Sequence, residues 1–553
     1  MSALSAARGR AGFGDGWPVL LVALAAAAYH AAYLGAGFNF TDEGHYAQTV
    51  LELWRGTDPH DLKLGYGLLW YEAGVALFSV FGPGFTVVRA FLFAVITATT
   101  ALVYTATVRA TDSRALGLAA ALAAGLAPAF PATSFYAFCA LLNVTVQLGA
   151  ARRLPTLVPA DLLAPGLALA VTFQIRADFG YVFSAPLAAL ILYAALAAPS
   201  GRQLRHLAAL AGTALATLVA GHLPLLALAA AGGYADLVAV EYLRYPLTVL
   251  EMLRLALAGA PADGGAKAAA GTLLARTPLS ALWLGPPATT AMALLTYGPL
   301  LVAPVYALAE AAALRRTPRP ALPGRIAAGL VVLAGAFACF PHYFLFRPDL
   351  AHIANFFPGF AVLLAVCAAR LAQAGGGVPA AIGRLAALLL LAAYAGAYLW
   401  IGLTTEGTGS IAVARGRTEP FTAANGVNVR LSPEEAAFLV PLRDLTAAQS
   451  RPGDRIVCVP YCPGIAFMTG RGLLLREHYV DDSLLVTAPD WIDRAIAATR
   501  AARPPLVIVF DWAVNGTEVS RFRVWAARYV EALTAMGAQR TDLPGVTVYR
   551  LTP

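Results

Sequence analysis

The sequence predicts a polytopic α-helical membrane protein that ends in a soluble α/β domain. Three observations lead there. Of 553 residues, 59% are hydrophobic and 13% charged, with a mean hydropathy of +0.67, whereas a soluble globular chain carries about 25% charged residues. Apolar runs near the roughly 20 residues needed to cross hydrocarbon about 30 Å thick recur between short basic joints as far as residue 405. Beyond Thr404 the composition changes, and about half of the 31 acidic residues lie in that last quarter. This balance excludes soluble multidomain enzymes and disordered scaffolds, and five cysteines are too few for a disulfide framework. The net charge of +8 and pI near 9.3 are weak evidence for nucleic acid, because polytopic proteins gather arginine in cytoplasmic loops.

In chain order, Arg8 and Arg10 precede the first apolar run, Trp17 to Phe38, which is long enough to span and too long for a cleaved leader. About eleven spans are expected in all. The joints holding Arg109/Arg114, Arg152/Arg153, Arg202/Arg205, Arg315/Arg316/Arg319/Arg325 and Arg370/Arg384 belong in the cytoplasm by the positive-inside rule. Residues 38 to 85, the neighbourhood of Arg176 and Asp178, residues 232 to 290, the stretch from Phe346 to His352 and the tail after Thr404 then face outward. A cytoplasmic N-terminus with an odd number of spans agrees with an outward tail. The expected division is a membrane domain over residues 1–405 and an extracytoplasmic α/β domain over residues 406–553.

Within the tail, Ser432-Pro433-Glu434-Glu435 reads as an N-cap, a proline at the first helical position and acids in the first turn. A strand-like run follows at Arg455 to Pro460, then a helix around Trp491 to Ala502, a strand at Leu506 to Phe510, a helix around Arg521 to Met536 and a last strand at Gly545 to Leu551. Such alternation predicts a mostly parallel sheet. Cys458 and Cys462 form a C-x3-C pair on the oxidising side; a disulfide and two reduced thiols both fit. No further ligands stand at zinc-site spacing.

Carboxylates beside membrane spans are costly and tend to mark function, and they are densest in the first outward loop. It reads Phe38-Asn39-Phe40-Thr41-Asp42-Glu43-Gly44-His45-Tyr46, continuing to Asp58, His60, Asp61, Lys63 and Tyr66. Thr41 is placed to cap a helix starting at Asp42, with Asp42, His45, Tyr46 and Thr49 on one face. The alternative is that Asp42 and Glu43 only complement the helix dipole. Lys63 stands out because only it and Lys267 are lysines among 39 basic residues. A second cluster is Arg347, Asp349 and His352, which reads either as a phosphate clamp or as an interfacial turn with snorkelling side chains. Arg176 and Asp178 form a third candidate, also readable as a local ion pair.

Thr41-Asp42-Glu43-Gly44, the stretch from Lys63 to Trp70, Phe81-Gly82 and Val88-Arg89-Ala90 occur in an order that resembles the GT-C glycosyltransferases. The resemblance is greatest to the branch of protein O-mannosyltransferases, lipid A aminoarabinose transferases and rhizobial galacturonic acid transferases. It covers roughly the first 200 residues in sequence and the remainder in topology. It implies a GT-C-like fold in a bacterial inner (plasma) membrane, a polyprenyl-phosphate sugar donor, and transfer on the outer face to a glycan, lipid or protein acceptor. By position it implies Asp42 as general base. A sugar hydroxyl is a poor nucleophile whose proton a carboxylate must accept, and a single base suits one inverting displacement. Glu43, turned about 100° away on a helix, is assigned to orientation or acceptor binding and is the alternative base. His45, Tyr46, Lys63, Tyr66, Asp178, Arg347, Asp349 and His352 are the expected substrate contacts, with Lys63 on the lipid phosphate. Two departures matter: Leu64 stands where relatives have proline after the lysine, and Ser134 and Tyr136 stand where many have a second carboxylate. Neither metal nor cofactor is expected. Competing readings are a transporter or flippase of lipid-linked saccharides, for which internal repeats and buried mid-span charges are wanting, and a catalytically dead membrane subunit.

Overall fold

Among the described residues up to 404, apolar sequence without strand-like alternation folds almost throughout as helix. The computed structural model describes residues 16–127, 129–239, 242, 280–315, 317–318, 321–338, 350–373, 378–404, 410–480, 484–514 and 518–551. Its longer helices in this part are α1 (Gly16–Ala31), α2 (Asp42–Trp54), α3 (Leu68–Phe81), α4 (Phe85–Thr111), α5 (Arg114–Leu126), α6 (Phe135–Ala151), α7 (Leu163–Ile175), α8 (Ala177–Leu196), α9 (Gln203–Ala231), α10 (Pro287–Leu314), α11 (Leu322–Phe337), α12 (Leu350–Gln373) and α13 (Val378–Thr404).

Six helices among the described residues are long and apolar enough to cross a membrane: α4, α8, α9 and the apolar stretches Tyr297–Leu314, Ala354–Ala372 and Ala381–Ile401 of α10, α12 and α13. The expectation of about eleven spans is corrected accordingly. The apolar helices α1, α3, α5, α6, α7 and α11 run 13 to 17 residues, about 20 to 25 Å at 1.5 Å per residue and short of hydrocarbon about 30 Å thick. Interruptions set these lengths. Pro131 opens a 3-10 turn between α5 and α6, Arg176 takes extended backbone between α7 and α8, and α1 stops at Ala31 where the sequence predicts helix to Phe38.

Among the described residues, Arg109, Arg152, Arg325 and Arg370 of the basic joints nevertheless gather at one end. Arg152, after α6, donates to the Arg109 carbonyl at the close of α4 (2.7 Å) and pairs with Asp112. Glu310 of α10 accepts ion pairs from Arg325 of α11 (2.8 Å) and Arg370 of α12 (3.2 Å). Gly324 lies against the Ala151 carbonyl, so both clusters share that end. Arg89 sits 20 residues before Arg109 on α4, about 30 Å away along the axis, and marks the opposite end, where α2 and the tail meet.

The tail opens with an antiparallel hairpin, β1 (Glu419–Ala423) and β2 (Val427–Leu431), followed by α14 (Pro433–Gln449). The expected cap is present in full: Ser432 Oγ accepts from Glu435 N–H, and the Glu435 carboxylate accepts from Ser432 N–H. Then come β3 (Arg455–Val459), α15 (Pro463–Thr469), β4 (Gly472–Leu473), α16 (Trp491–Ala502), β5 (Leu506–Phe510), α17 (Ala527–Ala535), β6 (Gln539–Leu543) and β7 (Val546–Arg550). The sheet order is β4-β3-β5-β7-β6. β3 runs parallel to β4 and β5, but β7 is antiparallel to β5. The mostly parallel sheet expected is therefore a mixed one, because Pro544 and Gly545, at φ +71°, fold β6 and β7 into a tight hairpin that reverses the last strand.

Alternation along the strands gives the sheet two buried faces. Ile456, Cys458, Ile508, Phe510, Val546 and Val548 join the core of the helical region. Val457, Val459, Val507, Val509 and Tyr549 pack under Trp491, Phe522 and Tyr529. Cys458 and Cys462 form a disulfide, which decides the alternative that sequence left open.

Two glycines set how closely the tail approaches the helices. A Cβ on Gly44 of α2 would lie 2.5 Å from Gly464 Cα of α15, and one on Gly464 would lie 2.5 Å from Phe40 Cα. This approach lets Gly464 N–H donate to the Phe40 carbonyl at 2.8 Å. The hairpin adds Gly37 N–H to Arg430 O at 2.8 Å and Phe85 N–H to Asn425 O at 3.0 Å. Gly464→Ala is expected to destabilise the protein by about 1–3 kcal/mol through overpacking and to speed proteolysis of the tail. A melting curve and limited proteolysis unchanged from wild type would show that the approach is not this tight.

Candidate active site at the helix after the first span

α2 begins at Asp42, as the sequence predicts, with its first turn organised by Asn39. Thr41 holds the N-cap position without a capping bond of its own. Asn39 Oδ1 instead accepts from Thr41 N–H (3.0 Å), Thr41 Oγ1 (2.7 Å) and Asp42 N–H (3.0 Å). Asp42 is half-buried, its charge favoured by the helix N-terminus. Tyr461, held between the two bridged cysteines, donates to Asp42 Oδ1 at 3.0 Å. Burial, with the neighbouring Asp42 charge second, holds the Tyr461 hydroxyl well above its ordinary pKa, so Tyr461 stays a donor.

One residue on, Glu43 turns inward. It is 3% exposed and forms a two-pronged ion pair with Arg89 of α4, itself 4% exposed, at 2.5 and 3.3 Å. Arg89 also donates to the Leu34 and Ala36 carbonyls beyond α1 and lies 4.6 Å over the Phe85 ring. Glu43 thus joins α2, α4 and the end of α1.

His45, one turn after Asp42, belongs to a directed chain. Tyr71 O–H donates to His45 Nε2 (3.1 Å), His45 Nδ1–H to His478 Nε2 (2.5 Å), and His478 Nδ1–H to the Arg476 carbonyl (3.2 Å). The carbonyl at the far end fixes these tautomers. Burial is the main cause that lowers His45 well below the ordinary histidine value, with His478 and Lys63 adding to it; burial likewise lowers His478 to about 4. Both rings are neutral near pH 7.

Lys63 lines a cavity of about 230 Å³ together with Arg476 of the tail. Phe173, Leu225, Val238 and Tyr242 supply its apolar wall, and Tyr66 borders it. Tyr66 packs edge-on to Phe135 at 4.7 Å. Tyr46, an expected substrate contact, is corrected to a core residue: at 1% exposure it packs against Trp70 and Phe91 and donates to the Trp70 carbonyl at 2.8 Å. Asp178 is engaged by Arg176 through bonds of 2.7 and 2.8 Å, while Arg176 also reaches the Tyr136 hydroxyl and lies 4.3 Å over that ring. Arg347 and Asp349 lie outside the described residues, and His352 falls in α12, where only its backbone is described. Sequence reasoning missed Tyr461, Arg476 and His478. Only the cysteines flanking Tyr461 gave any local signal.

Among the described residues, no three His, Cys, Asp or Glu side chains converge as a metal site. No protein-family model matches the chain, and no curated protein matches it.

The histidine pair predicts acid sensitivity. A histidine whose folded pKa is depressed contributes stability that is complete above the unfolded value near 6.5 and is lost as pH falls toward the folded value, about 4 for His478. Melting temperature is expected to decline across that window. The double variant His45→Gln/His478→Gln should decline less, and parallel pH profiles for the two proteins would refute this.

Proposed function

We propose that the protein is a membrane glycosyltransferase that moves a sugar from a polyprenyl-phosphate donor to an acceptor hydroxyl on the outer face, with inversion. The observation that carries this reading is the Asp42 carboxylate, bonded by Tyr461, one turn before His45, whose pKa the neighbouring Lys63 charge helps to lower, with Lys63 and Arg476 lining one cavity. Asp42 takes the proton of the acceptor hydroxyl as its oxygen attacks the anomeric carbon. The bond from the anomeric carbon to the phosphate oxygen breaks, and the lipid phosphate leaves with added negative charge. Lys63 and Arg476 stabilise that charge, and the apolar wall beside them suits the prenyl chain.

Inversion is the route that the pairing of the other candidate carboxylates supports. Glu43 is held by Arg89 and Asp178 by Arg176, which favours one base over the base and nucleophile of a retaining route. Gathering of Arg109, Arg152, Arg325 and Arg370 about 30 Å from α2 supports a cytoplasmic placement for them and an outward one for Asp42 and the tail.

Asp42→Asn should lower sugar transfer by about 100- to 10,000-fold while the melting temperature stays near wild type; near-normal turnover would remove Asp42 as base. Polyprenyl phosphate at 100 times its dissociation constant should stabilise the wild type by about 2.7 kcal/mol. Lys63→Ala and Arg476→Ala should each reduce that shift. A shift from nucleotide sugars, with none from polyprenyl phosphate, would overturn the lipid-donor assignment.

A further inference from the structure

A second cavity, of about 210 Å³, lies between α2 and the tail, and the steps just described leave it unused. It is lined by Gln48, Thr49 and Glu52 of α2, Thr57 and Asp61 of the following loop, and Arg455, Leu473 to Arg476 and His478 of the tail. Asp42, His45, Thr49 and Glu52 fall within about 80° of one another at 100° per residue, so one face of α2 runs from the base to this cavity. His478, bonded to His45, forms part of the wall between them.

Two groups in the lining have no hydrogen-bond partner although each residue is 1% exposed: Gln48 Oε1 and Thr49 Oγ1. Such groups are costly unless something satisfies them. Thr49 differs here from Thr99, Thr100 and Thr111, whose hydroxyls donate to the carbonyl four residues back. The Gln48 amide nitrogen is committed to Glu52 (2.7 Å) and the Arg471 carbonyl (3.1 Å), which fixes its oxygen as the open acceptor.

The lining combines two carboxylates, Glu52 and Asp61, with two guanidiniums, Arg455 and Arg476, and one side of leucines. Its formal charges balance, so it offers no net attraction to an anion. An open amide acceptor, an open hydroxyl, planar charged groups and an aliphatic surface match the hydroxyls and C–H face of a neutral sugar. Thr49 lies about 10 Å along the α2 axis from Asp42, so a sugar held here is separate from the reacting hydroxyl.

We infer that this cavity binds a neutral, hydroxyl-rich sugar unit of an oligosaccharide acceptor, one or more residues away from the hydroxyl that Asp42 deprotonates. The inference rests on the glycosyltransferase reading and adds the acceptor class and its holding site.

The test uses purified full-length protein in detergent, with mannotriose and galactotriose as neutral probes and trigalacturonate as the anionic one, and binding followed by ligand-observed NMR. At least one neutral trisaccharide should bind, and Thr49→Val should weaken it about five- to tenfold, the loss of about one hydrogen bond, whereas Thr49→Ser keeps it. Melting temperature and the polyprenyl phosphate shift should stay as in wild type for both variants. Glycan binding that depends on the Thr49 hydroxyl supports the inference even where polyprenyl phosphate gives no shift, a result that counts against the donor reading alone. A polyprenyl phosphate shift with no neutral glycan bound, binding indifferent to Thr49→Val, or preference for trigalacturonate overturns the inference and leaves the donor assignment standing.

Discussion

The close approach of Gly44 and Gly464 is the constraint on which the site depends. With a Cβ on either residue the two backbones could not approach to the present separation, and α15 would stand off from α2. Tyr461 precedes α15 by two residues and His478 follows it by nine, so both reach Asp42 and His45 only because that helix is seated on α2. The bonds from Gly464 N–H to the Phe40 carbonyl, from Gly37 N–H to the Arg430 carbonyl and from Arg430 N–H to the Gly35 carbonyl seat the tail at three points along one loop. The membrane part and the tail consequently share one continuous apolar core, and the site between them is built by both.

Neighbouring acids meet opposite fates because a helix turns them about 100° apart. Asp42 faces the tail, half-buried, with a phenol donor. Glu43 faces α4 and is neutralised by Arg89, which also satisfies the carbonyls left open after α1. Breaking a buried pair of this kind strands a charge and costs about 3–5 kcal/mol, so Glu43 sets the position of α2 and with it the direction of Asp42. The same logic applies to Asp178, whose arginine also holds Tyr136.

The two cavities differ in chemistry. The one holding Lys63 is lined by two cations together with aromatic and aliphatic residues, while the other balances two acids against two arginines and includes unsatisfied polar groups. Arg476 lines both. His478 lines the second cavity and is bonded to His45, with Tyr71 and the Arg476 carbonyl at the ends of that chain, so the tail contributes to both cavities through one short segment.

Local information was enough for the membrane class, the start of α2 at Asp42, the Ser432 cap and the strands at Arg455 and Leu506, because hydropathy, capping and alternation are properties of neighbouring residues. It also singled out Asp42, Lys63 and the Arg176–Asp178 pair. It overcounted the spans, since helix breaks at Pro131 and Arg176 shorten runs that composition alone leaves continuous. It gave Tyr46 to the site because helical spacing does not say which face a neighbouring helix covers. Only the tertiary structure decided that β7 runs antiparallel to β5, that the cysteines are bridged, and that Tyr461 and His478 bond to Asp42 and His45, more than 400 residues earlier. Contacts across that separation depend on how two glycines let distant backbones meet, and no local pattern encodes them.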